Sequence, residues 1–123
     1  MAETKIWYLV VQEPYLSMLK SRLKRKEGRR IPKPGDNLDG IQIGDIIEFS
    51  DGQGHSFQRV VKDLTFYRPT DYSDPLRAML ETAGVTDMLP DLTWDQMDHA
   101  IEIYEGFLKA QKIKEQGMMV IHL

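Results

Sequence analysis

The chain has no cysteine, which excludes disulfides, a thiolate nucleophile and cysteine-ligated zinc. Its three histidines, His55, His99 and His122, are widely spaced and form no H-E-x-x-H pair, so no metal centre is expected. The sequence also lacks a G-x-x-x-x-G-K-[ST] loop, a G-x-G-x-x-G fingerprint and a G-x-S-x-G elbow, and no cofactor is expected. No apolar run approaches the roughly 20 residues of a membrane-spanning helix. The opening MAETKIWYLVVQEP has no basic stretch leading into a long apolar one, so it does not read as a signal peptide. The expectation is one cytoplasmic domain over residues 1–123 with no membrane partner.

Acidic residues outnumber basic ones, 19 to 16, yet the basic ones are concentrated. Between Lys20 and Lys33 lie eight cations and one acid, Glu27. Solubility alone does not account for such a run in an acidic chain. One explanation is an anionic ligand. The others are local: cations near the negative end of a helix dipole, or a charged strand edge that resists aggregation.

The apolar pattern orders the elements. KIWYLVV is short and β-branched, which predicts a buried strand. Pro14 suits the start of a helix carrying Tyr15, Leu16, Met18, Leu19 and Leu23 on one face. Residues 24–30 are expected as a strand, followed by a proline- and glycine-rich loop over residues 31–40. Ile46, Ile47 and Phe49 mark the next strand, SDGQGH a hairpin turn, and SFQRVVKDLTFY one longer returning strand. Asp74-Pro75 predicts a capped helix that stops at Gly84. Thr93 and Gln96 form a plausible capping box for a second helix, with Trp94, Met97, Ala100, Ile101, Ile103, Tyr104, Phe107 and Leu108 as its core stripe. After Gly117, MMVIHL reads as a strand. The order β-α-β-loop-β-β-α-α-β predicts an undivided α+β domain.

If residues 24–30 are extended, Arg25, Glu27 and Arg29 share one face, and Lys24, Lys26 and Arg30 the other. Glu27 can fix one of its two arginine neighbours and leave the second for a phosphate. Lys24, at the helix-to-strand corner, is placed to contact a phosphate or, if desolvated, to act as a base of lowered pKa. Tyr67, Tyr72 and Trp7 are candidates for stacking on a base, Tyr67 foremost because it closes a strand expected to border the cleft. Asp87, Asp91, Asp95 and Asp98 would either meet a basic protein or complement helix starts.

Together, EPYLSML, the Lys-x-x-Glu-x-Arg segment, IGDIIEF, AMLETAGVTDMLPD and QGMMVIHL resemble the ASCH domain, from about Ile6 to Leu123. The resemblance implies a PUA-like fold, a small mixed β-barrel with helices packed around a cleft. It implies a ligand that is single-stranded RNA or a nucleotide or nucleoside. The cleft motif G-x-K-x-x-E-x-R falls on Lys24, Glu27 and Arg29, with Arg22 where the family has glycine. The Gly44-Asp45 pair matches a structural turn. RNA binding through Lys24, Arg25, Lys26, Arg29 and Arg30 is then expected; of the catalytic candidates Lys24, Glu27 and Tyr67, a ribonuclease would use Lys24 and Tyr67, with Arg29 stabilising the developing negative charge. The alternative is an amidohydrolase acting on N4-acetylcytidine or a related acylated nucleoside, with Lys24, Glu27 and a further carboxylate such as Glu81. Small amidohydrolases resembling this domain carry threonine at the position of Glu27.

Overall fold

The computed structural model describes residues 4–123; the first residues of the MAETKIWYLVVQEP segment lie outside them. Six strands and five helices make a mixed α+β domain: β1 (Ile6–Val10), α1 (Tyr15–Ser21), β2 (Lys26–Arg30), β3 (Ile46–Ser50), β4 (Ser56–Val60), β5 (Asp63–Tyr67), α2 (Pro75–Ala83), α3 (Val85–Met88), α4 (Met97–Leu108), α5 (Ala110–Gln116) and β6 (Met118–His122). Hydrogen bonding gathers the strands into two sheets of three, ordered β1-β3-β4 and β2-β6-β5. β1 runs parallel to β3, and every other pair is antiparallel.

The first sheet follows from alternation. Trp7 and Leu9 point inward from β1 while Ile6, Tyr8 and Val10 face solvent. Ile47 and Phe49 do the same on β3, and α1 closes this core with Leu16 and Leu19. β6 has no polar face: Met118, Met119, Val120 and Ile121 are all buried. Met119 and Ile121 belong to the core under the first sheet, Met118 and Val120 to a second core beneath α2–α5. One central strand therefore serves both cores, as expected of a strand covered on both faces.

The segment SFQRVVKDLTFY, expected as one strand, is two. The Val61 N–H donates to Asp45 O (2.8 Å) in the first sheet, and the adjacent Lys62 N–H donates to His122 O (2.7 Å) in the second. The chain changes sheets between these two residues. Asp45 anchors that junction: its buried carboxylate accepts from Trp7 Nε1 (2.9 Å), Gln42 N (3.0 Å) and Lys5 N (3.3 Å). The Gly44-Asp45 turn thus has the structural role expected of it.

Asp74 caps α2, accepting from Arg77 N, with Pro75 in the first turn and Gly84 at the end. The second predicted helix begins later than expected, at Met97. The Thr93 N–H donates to the Gln96 side chain (2.8 Å), but this closes a turn ahead of the helix. Trp94 therefore leaves the predicted core stripe and is 82% exposed. Leu23 is also turned out to solvent, because α1 has already ended at Ser21.

Candidate functional site

The site begins where α1 gives way to β2. Arg22 adopts a left-handed backbone (φ 68°), and its N–H donates to Leu19 O (3.2 Å). The Lys24 N–H then returns to Met18 O (3.0 Å), a helix-closing turn of the kind that glycine adopts without strain. The turn swings Lys24 inward, where it is 2% exposed and its Nζ donates to the carbonyl of Met88, the last residue of α3. Burial pushes the Lys24 amine below the ordinary lysine range, and Arg29 adds to that. Glu27 and Asp91 act in the opposite direction.

Glu27 follows on β2 and is also buried. Its Oε1 lies 3.8 Å from Arg29 Nε, while Oε2 has no hydrogen-bond partner. Arg29 Nε and Nη2 and the Tyr104 hydroxyl are likewise buried without a hydrogen-bond partner. Gly28, between Glu27 and Arg29, makes room for Tyr104. A Cβ there would lie 2.9 Å from Met88 Cε and 3.1 Å from the Tyr104 ring and hydroxyl. Burial, with Glu27 as a further cause, raises the Tyr104 phenol well above its ordinary value. At the α1 side, the Tyr15 ring centroid sits 5.8 Å from Lys24 Nζ, and its hydroxyl donates to Asp91 (3.4 Å). Burial and Asp91 push that phenol up to about 12.

An amine, a carboxylate, a guanidinium and a phenol thus converge from the turn between α1 and β2, from β2 and from α4. Most buried polar groups in folded proteins are paired. A cluster with several open donors and acceptors is suited to a polar ligand or ordered water. Chemically, Lys24 can donate to a carbonyl or phosphoryl oxygen, Glu27 can accept a proton, and Arg29 can hold an anion.

Arg29 also lines the adjoining cleft, about 370 Å³ in volume, where β2 meets the loop over residues 31–40, the end of α4 and α5. Arg29, Arg30, Lys33 and Lys112 supply its positive charge, over apolar walls from Leu9, Leu38 and Leu108. Asp36 is its one acid, and that carboxylate accepts from the Lys33 N–H (3.1 Å), bracing the loop. Arg30, Lys33 and Lys112 have no ion-pair partner among the described residues.

The basic run is therefore divided. Lys26 turns to the helices, donating to Ala83 O (3.0 Å) and pairing with Asp87 (3.2 Å). Arg25 is exposed and donates from Nε to Arg22 O. Glu27 selects Arg29, not Arg25, as its ion-pair partner. Tyr67 is buried in the helical core with its hydroxyl 2.6 Å from Thr82 Oγ1. None of the polar contacts of Lys24, Glu27 or Arg29 includes it. Trp7 is committed to Asp45, Tyr72 packs beside Tyr67 (5.5 Å between centroids), and Glu81 lines a separate surface depression near α2. Of the four acids, Asp87 pairs with Lys26, Asp91 with Tyr15, Asp95 with the Thr93 hydroxyl and Asp98 with Arg77. Sequence reasoning misses Lys112 and Tyr104 as site residues. The apolar stripe of its helix marks Tyr104 only as core, and Lys112 sits in a polar helical segment without distinguishing spacing.

The fold and the cluster define an α+β domain with a basic cleft beside a buried Lys-Glu-Arg-Tyr group. The backbone is similar to the crystal structure of hypothetical protein PH0355, at 26% identity, a TM-score of 0.77 and 95% coverage of each chain. It is similar also to the solution structure of protein PF0455 from Pyrococcus furiosus, at 28% identity, a TM-score of 0.70 and coverage of 95% of this chain and 94% of that one. No protein-family model and no curated protein matches the chain.

Proposed function

We propose that this is an ASCH-type, PUA-like domain that binds single-stranded RNA or a nucleotide in the cleft bordered by Arg29, Arg30, Lys33 and Lys112. The observation that carries this is the cleft's charge: four cations converge there from β2, the following loop and α5, and its single acid is engaged in bracing that loop. Phosphate contacts of this kind supply most of the sequence-independent affinity for nucleic acid. The apolar walls suit a sugar or base face, and the open polar atoms beneath suit the hydrogen-bonding edge of a base. Within this proposal the two sheets, linked by the Val61–Lys62 crossover and packed about β6, whose two faces serve both cores, correspond to the strands of a small PUA-like barrel. Lys24, Arg25 and Lys26 contribute through the field of the run and not as cleft walls, and Tyr67 is assigned to packing.

The test is a titration of fluorescent single-stranded RNA at two salt concentrations, each sample then run on a denaturing gel. Binding should weaken as salt rises, and Arg30→Ala/Lys112→Ala should weaken it about tenfold or more. Affinity indifferent to salt, or unaffected by that double substitution, would overturn the proposal. Shortened RNA would assign ribonuclease activity as well.

A second function is favoured by one specific feature, the buried Lys24 amine of lowered pKa beside a Glu27 carboxylate with an open oxygen. This pair suits an amidohydrolase for N4-acetylcytidine or a related acylated nucleoside. Lys24 would polarise the amide carbonyl, and Glu27 would take the proton from an attacking water and pass it to the departing N4 amine as the C–N bond breaks, giving acetate and the free nucleoside. Release of acetate from N4-acetylcytidine, lost in Lys24→Ala and in Glu27→Gln, would establish it. No turnover above the Lys24→Ala background would remove it.

A further inference from the structure

The cleft absorbs only the second half of the basic run. From its first half, Arg22 faces another depression, about 210 Å³ in volume, bounded by Arg22, Ile46, Gln58, Arg59, Val60, Lys62 and the terminal Leu123. Three cations line it, no acidic side chain does, the α-carboxylate of Leu123 is the one anionic group on a lining residue, and none of the three cations has an ion-pair partner among the described residues. Like charges gathered around a concavity repel one another unless an anion joins them.

Arg59 is held in place for such a contact. Its Nη2 donates to Lys20 O (2.7 Å) and its Nη1 to Gln58 O (2.8 Å), while the guanidinium carbon lies 4.8 Å from the Phe57 ring centroid. These contacts orient the planar fork, and Nε remains buried without a partner. Arg22 joins it from the left-handed turn that closes α1. That backbone conformation is unfavourable for a side-chain-bearing residue. Burial of Arg59 and repulsion from Arg22 both act against its charge, in keeping with two guanidinium groups sharing one site.

We propose that Arg22, Arg59 and Lys62 form a second anion subsite, separate from the cleft, that takes a phosphate group. A rigid guanidinium with an open N–H, a second guanidinium and a flexible ammonium match the several oxygens of a phosphate monoester or diester. Two sources supply that chemistry, the backbone of an RNA strand and free phosphate. The subsite does not require that the cleft bind RNA.

The test uses the full chain labelled with ¹⁵N, titrated first with inorganic phosphate and then with a short oligouridine. Phosphate should shift the Arg59 Nε–H resonance and the backbone amides of Val60 and Lys62. Those shifts should vanish in Arg22→Gly/Lys62→Ala, whose fold the glycine favours at φ 68°. With oligouridine, the same variant should bind with a salt slope shallower by about 0.7 for each phosphate it no longer neutralises. Phosphate shifts without any change in the oligouridine slope would assign the subsite to free phosphate. Shifts confined to Arg29, Arg30 and Lys112, or equal in wild type and variant, would overturn the proposal. Arg59→Lys is a second check: it keeps the charge, loses the fork and should weaken phosphate binding severalfold. If oligouridine fails to bind at all, the cleft proposal falls, while the phosphate titration still decides this one.

Discussion

Lys24 illustrates how a functional candidate opposes stability. Its amine is buried, and its pKa is lowered from 10.5. Between that lowered value and 10.5 the unfolded chain binds more protons than the folded one, so folding stability should rise with pH across this window. Denaturant midpoints measured at alkaline pH below the ordinary tyrosine value of 10.0, above which the raised Tyr15 and Tyr104 phenols act in the opposite direction, should show the rise in wild type and not in Lys24→Met. A rise that persists in the variant would place its origin elsewhere. Arg22 presents the opposite case of a residue poorly matched to its backbone. Arg22→Gly should stabilise the fold by about 1 kcal/mol, because it removes the left-handed penalty borne by a side-chain-bearing residue. Thermal unfolding reads this directly, and a lower midpoint in the variant would mean that the Arg22 side chain contributes packing not evident from its contacts.

Glycines fix how closely the elements approach. Gly117 separates α5 from β6 at φ 80°, and a Cβ there would stand 2.4 Å from the backbone oxygen of Tyr67 and 2.9 Å from Pro69. Neither neighbour is the free end of a flexible side chain, so Gly117→Ala should cost about 3 kcal/mol or more. Gly28→Ala is expected to be milder, about 1–2 kcal/mol, since Met88 Cε can move while the Tyr104 ring resists. Chemical denaturation of both variants should give that ranking, and the reverse order would contradict the packing described for β2. Much of this arrangement was legible in the sequence. The strands other than the divided one, the helices α1, α2 and α4, the Asp74 cap, the Gly84 and Gly117 stops and the corner at Lys24 all followed from local pattern, whereas the short helices α3 and α5 did not. The division of SFQRVVKDLTFY did not, because periodicity does not tell which sheet a strand joins, and Val61 and Lys62 hydrogen-bond to different ones. Trp94 was misplaced because a Thr-x-x-Gln spacing fits both a helix cap and the isolated turn that actually forms. The cleft was half visible: Arg29 and Arg30 lie in the conspicuous run, whereas Lys112 joins them only through the packing of α5 against β2.

Asp45 anchors the junction between the sheets and contributes to the acid sensitivity of the whole molecule. Although burial acts to raise its pKa, the hydrogen bonds from Trp7, Gln42 and Lys5 together hold the carboxyl below its ordinary 3.8. Its contribution is present above that value and is lost as pH falls through the folded pKa. Asp45→Asn should therefore be less stable near neutrality, by roughly 1–3 kcal/mol, and should lose less on acidification than wild type. Parallel acid-unfolding curves for the two proteins would contradict this. A last consequence concerns β6, the strand shared by both cores. Both of its sheet neighbours precede it in the chain, so on the ribosome β2 and β5 emerge with no partner to pair with. At synthesis rates of about 5–20 residues per second, their unpaired edges stay open to other nascent chains for seconds. The cationic character of β2 then has a use before any ligand arrives: it discourages edge-to-edge association while the chain waits for its central strand.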